Sequence, residues 1–293
     1  MALRNIAIIA HVDHGKTTLV DQLLRQSGTF RPHQAVAERA LDTGELERER
    51  GITILAKCTA VVWQGTRINI VDTPGHADFG AEVERILGMV DGALLLVDAA
   101  EGVLPQTKFV LGKALARGLR PIVVLNKLDR PDSRAEAVAS EVFDLFAALD
   151  ASESQLDFPL LYASGRQGWA DSRPDGPRRD LAPLFAMILS HVPPPVKRTE
   201  EPFGMLASIL EYDSFLGRIL TGRIEAGRAR RNMALKVLRP GSAQPVEEGR
   251  LTRLLAFRGL ERIAVEEAEA GDIIALAGLA EATVADTIGA VER

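Results

Sequence analysis

The segment Ala10-His11-Val12-Asp13-His14-Gly15-Lys16-Thr17-Thr18 follows an apolar run, Ile6 to Ala10, and leads into residues of helical spacing from Leu19 to Arg25. Placed between a strand and a helix, Gly-Lys-Thr is a phosphate-binding loop whose backbone N–H groups and helix N-terminus cradle an anion. Lys16 would reach the β- and γ-phosphates of a nucleotide, and the Thr17 hydroxyl would hold Mg²⁺. Asp13, His14, Gly15 and Thr18 complete the loop, which carries Ala10 where the pattern usually opens with glycine. A chance Gly-Lys-Thr in a plain turn is the bland alternative, and the strand-to-helix placement argues against it. In Val71-Asp72-Thr73-Pro74-Gly75-His76, Asp72 ends an apolar run and can act on Mg²⁺ through water, while the Gly75 N–H can face the γ-phosphate. Asn126-Lys127-Leu128-Asp129 follows another apolar run, and a carboxylate there accepts two hydrogen bonds, from guanine N1–H and N2–H₂. Adenine lacks that pair of donors, so the three loops together predict GTP rather than ATP as the nucleotide.

For these loops to meet, the segments before them must be neighbouring strands of one sheet. Residues 1–165 alternate β-branched runs with stretches of helical period, the pattern of a mostly parallel sheet covered on both faces by helices. The runs are Ile6 to Ala10, Arg67 to Asp72, Ala93 to Val97, Pro121 to Leu125 and Phe158 to Tyr162, each leading into a polar or glycine-bearing loop of the kind that holds ligands in open α/β sheets. Gln64-Gly65-Thr66 between Thr59–Trp63 and Arg67–Val71 predicts a hairpin, so the sheet should be mixed. Asp171 to Asp180 is turn chemistry, and after a short helix His191-Val-Pro-Pro-Pro195 reads as a stiff spacer. Strand-like segments then follow at close spacing: Met205 to Leu210, Leu216 to Ile224, Ala234 to Leu238, Glu248 to Ala256 and Asp272 to Ala277, separated by Gly and Pro turns. The expected architecture is an α/β nucleotide-binding domain over residues 1–195 and a small antiparallel β-barrel over residues 196–293.

Composition narrows the class. The 293 residues are 46% apolar and 26% charged, ordinary globular usage that excludes a disordered, collagenous or coiled-coil chain. With 35 Lys plus Arg against 40 Asp plus Glu, the net charge of −5 argues against wrapping DNA or an anionic membrane as the main activity. The single cysteine, Cys58, cannot form an intramolecular disulfide or a cysteine-based metal site, and its β-branched setting predicts a buried, inert thiol. The first apolar run is too short for a signal-peptide core or a membrane span. A soluble, cytoplasmic, monomeric protein in a reducing compartment is expected.

With Gly51-Ile52-Thr53-Ile54 after the charged stretch from Glu45 to Arg50, the set resembles a GTPase of the translation-factor family. The carriers are Asn5 to Val20, Glu49 to Lys57 and Asn69 to Gly80. Ile54-Leu55-Ala56-Lys57 and Gln155-Leu156-Asp157-Phe158-Pro159 favour the BipA/TypA class within it. The resemblance covers essentially the whole chain and implies a P-loop GTPase fold with the family's second, barrel domain. It also implies that His76 orients the attacking water, with Val12 and Ile52 as an apolar gate beside it, and that Thr53, in the first switch, closes on Mg²⁺ and the γ-phosphate. Asp13 matches a position linked to a monovalent cation near the phosphates. Ser164-Gly165-Arg166 takes the place of a Ser-Ala-x segment whose backbone contacts the guanine carbonyl, and glycine for alanine there leaves the N–H contact available. The class implies the ribosome, its RNA and proteins, as partner, and it normally continues into further domains, so a longer parent protein is expected. Hydrolysis would act as a switch in translation or in ribosome assembly under stress. Two readings stay beside it: a nucleotide-gated binding module for an assembly or stress partner, and a GTPase of the elongation or back-translocation type.

Other residues have plainer readings. His11 and His14 have a metal-like spacing, yet no cysteine or acidic cluster completes a zinc site. His33 and His191 read as solvated, and Trp63 and Trp169 as packed rather than stacked on bases. Arg228, Arg230, Arg231, Arg250, Arg253, Arg258 and Arg262 could form a basic face for ribosomal RNA. Glu247, Glu248, Glu261, Glu266 and Glu267 lie among them, so a solvated charged face is the equal alternative.

Overall fold

A computed structural model describes residues 1–28, 57–74 and 80–291. The chain divides into two compact units, Met1–Pro193 and Pro194–Arg293. In the first unit the elements are β1 (Ala2–Ala10), α1 (Lys16–Gln26), β2 (Lys57–Trp63), β3 (Thr66–Asp72), α2 (Gly80–Gly88), β4 (Gly92–Asp98), α3 (Pro105–Ala116), β5 (Ile122–Asn126), α4 (Ala135–Ala148), α5 (Glu153–Leu156), β6 (Leu160–Ser164), β7 (Trp169–Asp171) and α6 (Ala182–His191).

The sheet runs β2-β3-β1-β4-β5-β6-β7. β1, β3, β4, β5 and β6 are mutually parallel, whereas β2 and β7 add antiparallel edges. β1 lies between β3 and β4, which lead to opposite sides of the sheet, so the loop after β1 opens at the topological switch point. Its alternation fills both layers: Ile6 and Ile8 join Leu19, Leu23, Leu94, Val124, Phe185 and Ile188 in one core, and the intervening Ala7 and Ile9 are also buried. Helices α3 and α4 pack on β1 and β5. Trp63 stacks on Phe185 with centroids 4.3 Å apart and planes 8° from parallel, as packing rather than base-stacking predicts. Gln155, in the segment that marked the narrower resemblance, donates to Leu115 O at 3.0 Å and Leu119 O at 2.8 Å, satisfying carbonyls at the end of α3.

The hairpin and the strand runs lie where the pattern placed them, with ends shifted by one to four residues. Three features differ. Asp171 closes β7 instead of opening a turn region, because Trp169 pairs with Ser164 on β6. Cys58 is only half-buried, on the strand that is the edge of the sheet among the described residues. His191 is half-buried rather than solvated, with Nε2 3.1 Å from Arg120 O, and burial holds its pKa below the usual 6.5.

The second unit is antiparallel. Its strands are β8 (Gly204–Leu206), β9 (Ile209–Asp213), β10 (Gly217–Ala226), β11 (Arg228–Arg230), β12 (Ala234–Leu238), β13 (Glu247–Arg250), β14 (Arg253–Arg258), β15 (Glu261–Ala264), β16 (Glu267–Glu269), β17 (Ile273–Ala277) and β18 (Thr287–Ala290). The order β13-β12-β18-β8-β10-β17-β14-β15, with β9 also on β10, curls around Phe203, Met205, Leu220, Ile224, Leu235, Val237, Ile274 and Ile288 as a barrel-like core. β10 pairs with β9 along its first half and with β8 near its end, and a Cβ at Gly222 would overlap Leu206 O, so only glycine lets the strands pass there. Two expected strands are each divided. Ala207 and Ser208 turn their N–H groups to Asp286 O and Thr221 O, and Leu251 and Thr252 turn theirs to Met233 O and Ala277 O. β11 and β16 form a separate pair in which Arg228 faces Glu269 and Arg230 faces Glu267, so these arginines are matched by acids. Arg231 and Arg262 pair with Glu266 and Glu211. The charged-face reading therefore describes these four arginines, not an unpaired basic strip.

Phe185 is fully buried against Trp63. Phe185→Ala should cost the first unit about 3–5 kcal/mol, read from urea unfolding. A loss below about 1 kcal/mol would contradict this account of the core.

Candidate functional site

β1 carries residues 11–15 to the edge of the sheet where β3, β4, β5 and β6 also end. Asp13 and Gly15 adopt left-handed backbone, with φ of 64° and 93°, turning successive N–H groups of the loop inward. Glycine is required at position 15 by its φ and because a Cβ would overlap the Asn126 side chain. Helix α1 has no side-chain cap and no acidic residue in its first turn. Its free N–H groups and the positive end of its dipole therefore face the loop, an arrangement suited to phosphate. Thr17 is half-buried and Thr18 exposed; Val12 is half-buried and Asp13 exposed.

Lys16 is buried and its Nζ lies 2.7 Å from Asp72 Oδ1, with a second hydrogen bond to Thr73 O. Thr73 Oγ1 donates to Ile8 O at 2.7 Å and so locks the end of β3 to β1. The two residues expected to serve phosphate and metal are thus bound to each other.

His14 is fully buried, and its Nδ1 accepts the Asp98 N–H at 3.3 Å, which leaves the proton of the neutral ring on Nε2. Burial, and next the neighbouring His11, hold its pKa below the usual 6.5 against the opposite pull of Asp98 and Glu101. Nε2 lies 3.5 Å from Glu101 Oε2, and with the ring neutral this contact is not an ion pair.

On the base side, Asn126 is buried and binds backbone at both ends of its carboxamide. Nδ2 donates to His14 O at 2.8 Å, and Oδ1 accepts the Gly165 N–H at 2.8 Å. One side chain therefore joins the phosphate loop to the loop after β6. Leu128 N–H donates to Ala163 O at 3.0 Å, and the buried Ser164 hydroxyl accepts the Gln167 N–H at 3.1 Å. Lys127 takes left-handed backbone, φ 62°, turning the chain toward Asp129. A cavity of about 380 Å³ opens here, lined by Gly15, Thr18, Asn126, Lys127, Asp129, Arg130 and Arg166. Asp129 lines this cavity, and its buried Oδ1 has no hydrogen-bond donor among the described residues, an acceptor left unsatisfied.

The structure thus brings together Gly15, Lys16, Asp72, Asn126, Lys127, Asp129 and the Ser164-Gly165-Arg166 loop. Ile52, Thr53, Gly75 and His76 lie outside the described residues, as does His33. The motifs passed over Asp98 and Arg130. Asp98 is fully buried at the end of β4, 2.8 Å from Lys127 Nζ and 3.3 Å from Arg130 Nη1. The available signal was an acidic residue closing the run Ala93 to Val97, the position Asp72 and Asn126 hold on their own strands.

These features are those of an α/β domain with a phosphate loop at the switch point of its sheet. The model of the elongation factor Tu GTP binding domain matches residues 1–194, that of elongation factor Tu domain 2 matches residues 217–289, and the chain belongs to the former family. The narrower resemblance is borne out as well. The chain is 52% identical over 292 residues to the large ribosomal subunit assembly factor BipA of Bacillus subtilis, covering 99% of this chain and 47% of the relative. The same-named proteins of Escherichia coli K12 and Haemophilus influenzae are 52% and 53% identical over 98% of the chain, which covers 47% and 46% of them. The chain therefore spans about half the length of the curated relatives it matches. Translation elongation factor SelB from Methanococcus maripaludis, in complex with the GTP analogue GppNHp, shares the fold, with a TM-score of 0.71 at 23% identity over 100% of this chain and 56% of that one. Among the described residues no helix is long and apolar enough to cross a membrane.

The neutral, buried His14 has a pH consequence. The unfolded chain takes up its proton near pH 6.5 while the folded one resists, so stability is full above that pH and falls as pH drops through it. His14→Asn can offer an oxygen to the Asp98 N–H but does not titrate, so it should flatten the slope of unfolding free energy between pH 7 and 5. An unchanged slope would exclude His14 as its source.

Proposed function

We propose that the chain binds GTP and hydrolyses it to GDP and phosphate, as a conformational switch serving the ribosome in translation or in large-subunit assembly under stress. Asp129 on the wall of the cavity beside Asn126, its Oδ1 without a donor among the described residues, carries the nucleotide reading. A guanine offers N1–H and N2–H₂ to such a carboxylate, and adenine does not. The names of the relatives at 52% identity support the ribosomal role.

The phosphates would lie on the N–H groups of residues 13–18, with Lys16 leaving Asp72 to meet the β- and γ-phosphates and the Gly75 N–H facing the latter. Among the described residues no group of three or more His, Cys, Asp or Glu is gathered for a metal. The Thr17 hydroxyl and Asp72 carboxylate, with Thr53, suit Mg²⁺, which takes its other ligands from phosphate and water. When bound, Mg²⁺ would neutralise charge on the phosphate oxygens. Asp13, exposed beside the loop, would face a monovalent cation there. His76 would orient the attacking water, with Val12 and Ile52 screening it on the apolar side. Positioning and charge stabilisation are sufficient for phosphoryl transfer, and no covalent intermediate is needed. A monomeric, cytoplasmic protein agrees with this role.

His76→Ala should leave nucleotide affinity intact and lower ribosome-stimulated GTP turnover of the full-length protein by about a hundredfold or more. Turnover within about threefold of the unaltered protein would remove His76 from the mechanism.

A further inference from the structure

Asp98 is the buried centre of the base-binding side. Its Oδ1 accepts the N–H groups of Ala100 at 2.7 Å and Glu101 at 3.3 Å, which folds the turn after β4. Its Oδ2 receives Lys127 Nζ at 2.8 Å and Arg130 Nη1 at 3.3 Å, and its own N–H holds His14 Nδ1. Burial alone would raise the pKa of this carboxyl, but the Lys127 hydrogen bond and the Ala100 N–H outweigh it and hold it below the ordinary carboxylate range. Lys127 and Arg130 line the same cavity as Asp129, while Asp132 grips the far side of Arg130 at 2.9 and 2.7 Å.

We infer that Asp98 is a positioning residue for guanine-nucleotide binding, fixing Lys127 and Arg130 along the cavity wall before the nucleotide arrives. This rests on the nucleotide reading above. Lysine has the most side-chain freedom to lose on binding, and a partner that orders it beforehand removes that loss from the binding step. With its ammonium tied inward, Lys127 keeps its methylene stem by the phosphate loop: its Cε lies 3.9 Å from where a Cβ of Gly15 would stand. Asp98 itself need not touch the ligand.

The test is a double-substitution cycle read by titrating GDP into the nucleotide-stripped chain with Mg²⁺, using Asp98→Asn, Lys127→Met and both together. Lys127→Met keeps a stem and loses the ammonium, so it reaches the same contact from the half-exposed side even if Asp98→Asn folds poorly. Each single variant should weaken GDP binding about ten- to a hundredfold, the scale of a charge-assisted hydrogen bond. The double variant should be no weaker than Asp98→Asn alone, because Lys127→Met removes a contact that Asp98→Asn has already removed. In GTP hydrolysis the loss should fall on KM with kcat kept within about twofold, a split that general loosening would not give. Affinities within about twofold of the unaltered chain, or losses that multiply in the double variant, would overturn the inference. If the unaltered chain bound GDP no better than ADP, the nucleotide reading would fall too, so the two failures are told apart by the control.

Discussion

A single buried carboxamide holds the candidate site in register. Asn126 sits at the end of the apolar strand β5, and its oxygen and nitrogen are satisfied by backbone groups. The available partners are His14 O on the phosphate loop and the Gly165 N–H beyond β6. Burying a polar side chain without partners is costly, so the three loops are tied at a fixed spacing by the need to satisfy one residue. That spacing explains the glycine at position 15, since Asn126 occupies the volume a Cβ would need.

Around this tie the charges are arranged before any ligand is present. Lys16 with Asp72, and Asp98 with Lys127 and Arg130, form buried or half-buried pairs whose separation would leave a charge uncompensated. On the proposed reading, a nucleotide would displace the acid that holds Lys16 and leave undisturbed the acid that holds Lys127. The first pair can couple nucleotide arrival to movement of the loop after β3; the second can keep the base cavity's shape. A neutral His14 links the two, because it sits on the phosphate loop and accepts the Asp98 N–H.

Much of this was legible in the sequence because it depends on local chemistry. A phosphate loop needs glycine at a left-handed position and a helix start, and Gly15-Lys16-Thr17 shows both in one stretch. Runs such as Ala93 to Val97 read as central strands because a strand buried on both faces is apolar throughout. Asp98 was not legible, since its partners are 29 and 32 residues away and only the parallel pairing of β4 with β5 brings them near. The strands β11 and β16 escaped for a related reason: Arg-Ala-Arg and Glu-Ala-Glu carry one apolar residue each, and what pairs them is charge across a ladder. Breaks inside Met205–Leu210 and Glu248–Ala256 come from backbone groups changing partners, which side-chain pattern does not record.

On the proposed reading, Asp129 makes the cavity select guanine. Calorimetric titration of the nucleotide-stripped chain in Mg²⁺ buffer, with GDP and with ADP, tests it most directly when repeated on Asp129→Asn. Micromolar or tighter binding of GDP, none of ADP, and loss of GDP binding in the variant, whose carboxamide can no longer accept both guanine donors, are expected. Equal binding of the two nucleotides, or GDP binding unchanged in Asp129→Asn, would contradict it.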